Sequence, residues 1–256
     1  MIRYIPADPA GNLTAIVLSP VAAQDRAKIA AEMMARCPEG FEQVGFADET
    51  SLTGDLPTLC MMGGEFCGNA TRAFACYAAK VRGRGETRLA VSVSGAREPV
   101  PVAVDLRQNR AYAQMPLAYA LEWISVNKQK IPLVRMEGID HALLLDAAPS
   151  PEAAERVLAA MPKQDARGVL FVQGGKMTPL VEVAATGTRV WESSCGSGTV
   201  ALAWYLAQNL ADGMHAFAFD EPGGRLEARV AMRAGRAAQI EMGGAVKLGK
   251  EAEIEL

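Results

Sequence analysis

Residues 67–79 read CGNATRAFACYAA, and residues 195–207 read CGSGTVALAWYLA. Laid over each other, the two stretches share Cys, Gly, Thr, Ala, Ala, Tyr and Ala at the same steps. Each opens on a cysteine and a glycine, then runs into small and apolar residues, the composition of a buried helix. The cysteines stand 128 residues apart, half of the 256-residue chain. That spacing continues without a gap beyond the helices. Gly95 and Arg97 map onto Gly223 and Arg225, and the alternation Val100, Val102, Val104 maps onto Ala228, Val230, Met232. The hairpin break at RQNR (107–110) falls near that at RAGR (233–236). A common offset carried through a turn and a hairpin marks an internal duplication.

Upstream of the cysteines the correspondence needs small shifts but keeps its order. AGNLTAIVLSP (10–20), QDRAKIAAEMMA, EQVGFADE and PTLCMM lead to Cys67; GIDHALLLDAA (138–148), PEAAERVLAAM, GVLFVQG and TPLVEVAA lead to Cys195. Period-2 apolar runs predict strands, and 3.6-period runs predict helices over about 24–35 and 151–161. The pattern implies an α+β fold of two pseudo-symmetric halves, each a mixed or antiparallel sheet wrapped around its cysteine helix. The expected division is 1–118 carrying Cys67 and 119–246 carrying Cys195, with a linker near 116–128. A final strand within 247–256 is expected to return to the first half, and the active site to lie in the cleft between the halves.

Half of the residues are hydrophobic, 21% are charged and the net charge is −3. A core is affordable, and no basic block offers a footprint for nucleic acid or an anionic membrane. MIRYIPADPAGN lacks the apolar run of a signal peptide, and no apolar run is long enough for a membrane span, so a cytoplasmic protein is expected. Five cysteines, no CxxC pair and two histidines fit neither a disulfide framework nor a zinc site. Cys37, Cys60 and Cys76 sit among apolar neighbours and read as core.

Cys67 and Cys195 need a different account. A helix start offers unpaired backbone N–H groups and the positive end of the helix dipole. A cysteine there has its thiolate favoured, and the same N–H groups can hold a carboxylate. Gly68 and Gly196 let the backbone approach a ligand closely. Two such motifs facing one α-carbon could remove a proton from one face and deliver one to the other. The carbanion charge would spread onto a carboxylate held by fixed N–H dipoles. The outcome is racemisation or epimerisation without a cofactor or metal.

EFCGNATRAF and WESSCGSGTVALA resemble the two cysteine motifs of the cofactor-independent diaminopimelate epimerase family, to which proline and hydroxyproline racemases are related. The resemblance spans nearly the whole chain, including AGN near the start, Gly138–His141 and the turn at 222–224. The histidine racemase branch, associated with opine-type metallophore synthesis, is the most similar pattern, through EQVGF, EFCGNAT, WE-x-SCGSGT and PGG. The resemblance implies that Cys67 and Cys195 are the catalytic pair. It implies that Asn12 and Asn69 hydrogen-bond the substrate, that backbone N–H groups around Gly68, Asn69, Gly196 and Ser197 hold its carboxylate, and that Glu192 binds the α-ammonium. His141 matches a histidine beside the site. Read alone, Asn12 is equally a turn residue after Gly11, and His141 equally a strand-end packing residue.

Diaminopimelate epimerases resemble one another in an Arg directly after the glutamate upstream of the second cysteine; here Ser193 follows Glu192. The anchor for a distal carboxylate is missing. Glu42 offers instead an acceptor for an imidazole or cationic side chain, though on its own it also reads as a surface glutamate. Histidine is therefore the favoured substrate, with diaminopimelate or another basic amino acid as alternatives. A duplicated amino-acid-binding protein is the non-enzyme alternative. The expected partner is a small amino acid, with a homodimer allowed and neither nucleic acid nor membrane.

Overall fold

The structure, a computed structural model, describes residues 1–184 and 187–256. It is a sheet-dominated α+β fold with four α-helices among the described residues. The chain divides into two units, residues 1–114 with 243–256, and residues 115–242.

In the first unit β1 (Ile2–Asp8) runs antiparallel to β2 (Thr14–Val17). Helix α1 (Arg26–Arg36) then allows β3 (Gln43–Asp48) to lie parallel to β2, with Thr14 opposite Gln43. Strand β4 (Thr58–Met61) is antiparallel to β3 and leads to helix α2 (Gly68–Val81). Beyond α2, β5 (Glu86–Val93) pairs parallel with β4, and β6 (Val100–Asp105) and β7 (Arg110–Met115) continue antiparallel. Strand alternation divides the core between two helices. Tyr4, Ala15, Val17, Val44 and Phe46 pack with Ala30 and Met33 of α1. Ile5, Ala7 and Ile16 join α2, Val91, Val102 and Val104 in a separate cluster. Twelve of the fourteen α2 residues are buried, which explains its alanines: larger side chains would not fit on every face.

The second unit begins with β8 (Ala120–Val126) and β9 (Gln129–Arg135), an antiparallel hairpin. The expected linker is thus largely a strand. Its turn residues Asn127 and Lys128 both have positive φ, 51° and 67°, as a two-residue hairpin turn requires. β10 (Ile139–Leu145) is antiparallel to β9 and, after helix α3 (Pro151–Ala160), parallel to β11 (Ala166–Gln173). Ser150 caps α3 by accepting the Ala153 N–H, and Pro151 occupies the first turn, where its missing donor costs nothing. Strands β12 (Lys176–Val183) and β13 (Thr188–Trp191) follow antiparallel; Ala185, the last residue of the TPLVEVAA run, lies outside the described residues. Helix α4 (Gly196–Ala207) packs on β10 and on the hairpin of β14 (Gly213–Glu221) and β15 (Gly224–Arg233). Strand β16 (Arg236–Ala245) carries the chain back into the first unit. There β17 (Lys247–Leu248) and β18 (Ala252–Ile254) pair antiparallel with β1.

The 128-residue spacing persists in element starts, Gly68 and Gly196 for the helices, but not in strand register. Val91 faces Val100, whereas Phe219, the residue 128 after Val91, faces Leu226 rather than Ala228. Pro222–Gly223 closes β14–β15 in two residues, so Glu221 faces Gly224 at the hairpin's end. In the first unit Val93 leaves β6 and pairs with Leu59 of β4.

Candidate active site

Cys67 is the extended residue that caps α2, with φ −126° and ψ 113°. Its sulfur accepts the Ala70 N–H at 3.5 Å, and its carbonyl accepts the Thr71 amide at 2.9 Å and hydroxyl at 2.7 Å. The segment entering Cys67 is held by the turn after β5. Ser94 donates to the Glu65 carbonyl at 3.0 Å, and a Cβ on Gly95 would lie 2.2 Å from the Phe66 nitrogen. Gly95 also has φ +74°, so both the close approach and the backbone require glycine. The side-chain amide of Gln43 faces the sulfur. It donates to Asn12 Oδ1 at 2.5 Å and Thr14 Oγ1 at 2.8 Å, while Asn12 Nδ2 donates to Glu42 Oε2 at 2.7 Å. A polar chain therefore links Glu42, Asn12, Gln43 and Cys67.

Asn69 is buried one residue beyond Gly68, and Arg72 fixes its amide by donating to Oδ1 at 2.9 Å. Arg72 is fully buried and also donates to the carbonyls of Pro9 (3.2 Å) and Ala245 (3.3 Å).

Cys195 caps α4 in the same extended conformation, φ −120° and ψ 103°. Its sulfur is 3.5 Å from Ser197 Oγ, which lies 2.9 Å from His141 Nε2. His141 is fully buried in β10, opposite Gly168 of β11. A Cβ on Gly168 would stand 2.1 Å from Nδ1, so glycine makes the room that the ring occupies. Gly198 plays a similar part for the thiol, since its Cβ would lie 3.3 Å from the Cys195 sulfur. Glu192, after the exposed Trp191 that leans on Phe171, presents its carboxylate to the same thiol.

The helix-start argument predicts lowered thiol pKa values; burial reverses it. Desolvation pushes the Cys67 thiol up, against the Ala70 and Asn69 amides and Gln43, which pull it down. Cys195 is pushed well above the ordinary thiol range by burial first, then by the carboxylates of Glu192 and Glu221, with Ser197 opposing. Burial also holds His141 neutral, with a pKa lowered to about 3.

The candidate residues thus assemble in two groups. Asn12, Glu42, Cys67, Gly68 and Asn69 gather in the first unit, and His141, Glu192, Cys195, Gly196 and Ser197 in the second. Sequence reading missed Gln43, Arg72 and Glu221. Glu221 had a signal: it is a carboxylate on the inward-alternating face of β14, where the residue 128 earlier is Val93. Cys37 and Cys76 are core, while Cys60 is half-buried.

Comparison with known proteins defines the class. The description "Histidine racemase CntK N-terminal domain" matches residues 1–254. A protein named histidine racemase from Fusobacterium nucleatum subsp. nucleatum (strain ATCC 25586) is 31% identical over 221 residues, 80% of this chain and 81% of its own. A hydroxyproline epimerase from Agrobacterium vitis, solved with trans-4-hydroxy-L-proline, shares the fold at TM-score 0.64 and 13% identity, covering 98% of this chain and 91% of that one. A phenazine biosynthesis protein of the PhzF family from Enterococcus faecalis does so at TM-score 0.66 and 16% identity, over 100% and 99%. The protein is an isomerase of the amino-acid racemase class. Within that class, the chain belongs to the histidine racemase family.

Proposed function

We propose that this protein interconverts L- and D-histidine without a cofactor, using Cys67 and Cys195 as a paired base and acid acting on opposite faces of one α-carbon. The carrying observation is that both cysteines cap helices in the same extended conformation, each with a glycine as the first helical residue. In one direction a thiolate takes the α-proton, breaking C–H and forming S–H, and the opposite thiol gives its proton to the other face. The product leaves with the stereocentre inverted and the two sulfurs' protonation exchanged. In this reading the halves are pseudo-symmetric about their cysteine helices. The N–H groups of Gly68, Asn69, Gly196 and Ser197 hold the substrate carboxylate and take up carbanion charge. Asn12 and Asn69 hydrogen-bond the substrate, Glu192 takes its ammonium, and Glu42 accepts from the imidazole.

The name of the Fusobacterium relative and the Ser193 that replaces an arginine both support histidine over diaminopimelate. The metallophore branch extends the reading to a cytoplasmic enzyme whose product feeds metallophore assembly. The test is incubation in D₂O with histidine, diaminopimelate, lysine, ornithine, arginine and proline. α-Deuterium should enter both enantiomers of histidine, and Cys67→Ser or Cys195→Ser should each lose roughly 10²-fold or more of that exchange. If none of these amino acids gains deuterium, the racemase reading fails; if only diaminopimelate does, the substrate assignment fails.

A further inference from the structure

The start of α4 is seated on a buried carboxylate, and the position 128 residues earlier holds Val93. Glu221 ends β14, and its Oε2 accepts the Cys195 N–H at 2.6 Å. Its Oε1 accepts the Thr199 hydroxyl, also at 2.6 Å. All three residues are buried. The tight Pro222–Gly223 turn brings Glu221 there, and the Gly223 N–H donates to the Ser193 carbonyl at 2.7 Å, tying that turn to the segment entering Cys195. The duplicated half serves as an internal control. The residue 128 before Glu221 is Val93, and Thr71, the residue 128 before Thr199, donates to the Cys67 carbonyl within its own helix.

Negative charge on the Cys195 sulfur would stand beside two carboxylates, Glu192 from the entering segment and Glu221 from β14. From β10, His141 reaches it only through Ser197 and is held neutral. β11 brings the buried apolar side chain of Leu170. Around Cys67 the balance is different: the donors are the amides of Ala70, Asn69 and Gln43, and the carboxylate that bears on it is the exposed Glu65.

We infer that Glu221 is a positioning residue that seats the Cys195 cap and keeps Cys195 in its thiol form in the resting protein, so that Cys67 is the sulfur that starts as the base. The inference rests on the two-cysteine reading above and deepens it by giving the pair a resting state. Each turnover that begins at Cys67 releases the protein in the less stable form, with the charge on Cys195, and a proton must then return through solvent. Enantiomers have equal free energy, so kcat/KM is the same in both directions whichever form rests. The asymmetry is therefore read on the thiols themselves.

The test is titration of thiolate ultraviolet absorbance in Cys67→Ser, Cys195→Ser and the double variant, whose spectrum subtracts Cys37, Cys60 and Cys76. Cys195 should titrate above Cys67. Glu221→Gln in the Cys67→Ser background should lower the Cys195 midpoint by about one unit, roughly a tenfold rise in thiolate below the midpoint. The same change in the Cys195→Ser background should leave Cys67 unmoved. Glutamine can still accept from the Cys195 N–H and donate to the Thr199 hydroxyl, so a purely structural role predicts no shift. Cys195 titrating at or below Cys67 overturns the inference, as does an unmoved midpoint in folded Glu221→Gln. Should Glu221→Gln not fold, the order of the two midpoints with Glu221 intact decides. The D₂O exchange of the single-cysteine variants separates the two readings: full exchange without Cys195 sinks the cysteine pair. Exchange that needs both cysteines, with the titration order reversed, sinks only the role of Glu221.

Discussion

His141 shows what a single buried ring costs. Its Nε2 has Ser197, but Nδ1 is buried with no hydrogen-bond partner and faces the bare Cα of Gly168. Burial lowers its pKa from 6.5 to about 3. As pH falls below 6.5 the unfolded chain takes up a proton that the folded chain refuses. The stabilisation is therefore complete above that pH and is lost progressively toward 3. The slope is about 1.4 kcal/mol per pH unit, so stability should drop by about 2 kcal/mol more between pH 7 and 5 in the wild type than in His141→Gln. Denaturant unfolding at the two pH values reads this directly; equal pH dependence in both proteins would count against a neutral, buried His141. Arg72 is the converse case, a buried guanidinium retained because three oxygens, one of them on Asn69, need its donors.

At the scale of elements, the two parallel pairs β2–β3 and β10–β11 place their polar residues differently. In the first, small Thr14 on one strand sits opposite Gln43 on the next, and Gln43 reaches the sulfur. In the second, the large residue is His141 on the earlier strand, and Gly168 opposite it yields the space. Gly168→Ala should displace the imidazole from Ser197 and destabilise the protein by about 1–3 kcal/mol. Adding His141→Thr should restore the melting temperature but not the Ser197 hydrogen bond. A double variant no more stable than Gly168→Ala would show that the ring is not what the methyl group meets. Such pairings explain what could be read in advance. The helices that begin at Gly68 and Gly196 were legible because the two cysteine-headed stretches match step for step. Gln43 was passed over inside a strand, since only the β2–β3 register aims it at a sulfur in another element. Glu221 was hidden by a two-residue change of register that a constant sequence offset conceals. The 116–128 segment looked like a linker because Asn-Lys is an inconspicuous hairpin turn, and its burial is too slight to imprint a strong alternation.

At the scale of the whole molecule, the C-terminal residues are structural parts of the first unit. β18 pairs Ile254, Glu253 and Ala252 with Ile2, Arg3 and Tyr4, and Ala252, Ile254 and Leu256 pack on the α1 cluster. The ion pairs of Arg3 with Glu49 and Glu251 are exposed, so packing and strand pairing carry the contribution. Ending the chain at Lys250 should therefore destabilise the first unit by about 2–4 kcal/mol from lost apolar burial. Hydrogen exchange should quicken in β1 and β2 and stay unchanged in β10 and β11; uniform change, or none, would contradict the assignment of this segment.

The same return has a meaning in time. Ala245 supplies an acceptor to Arg72, Val246 enters the cluster around α2, and Leu248 pairs with Ala7. A ribosome makes these residues only after the whole of the second unit. Folding during synthesis favours whichever domain is complete first, and here that is the second one made. The helix that bears Cys67 emerges early, yet it waits until the second unit has been made before its surroundings can close.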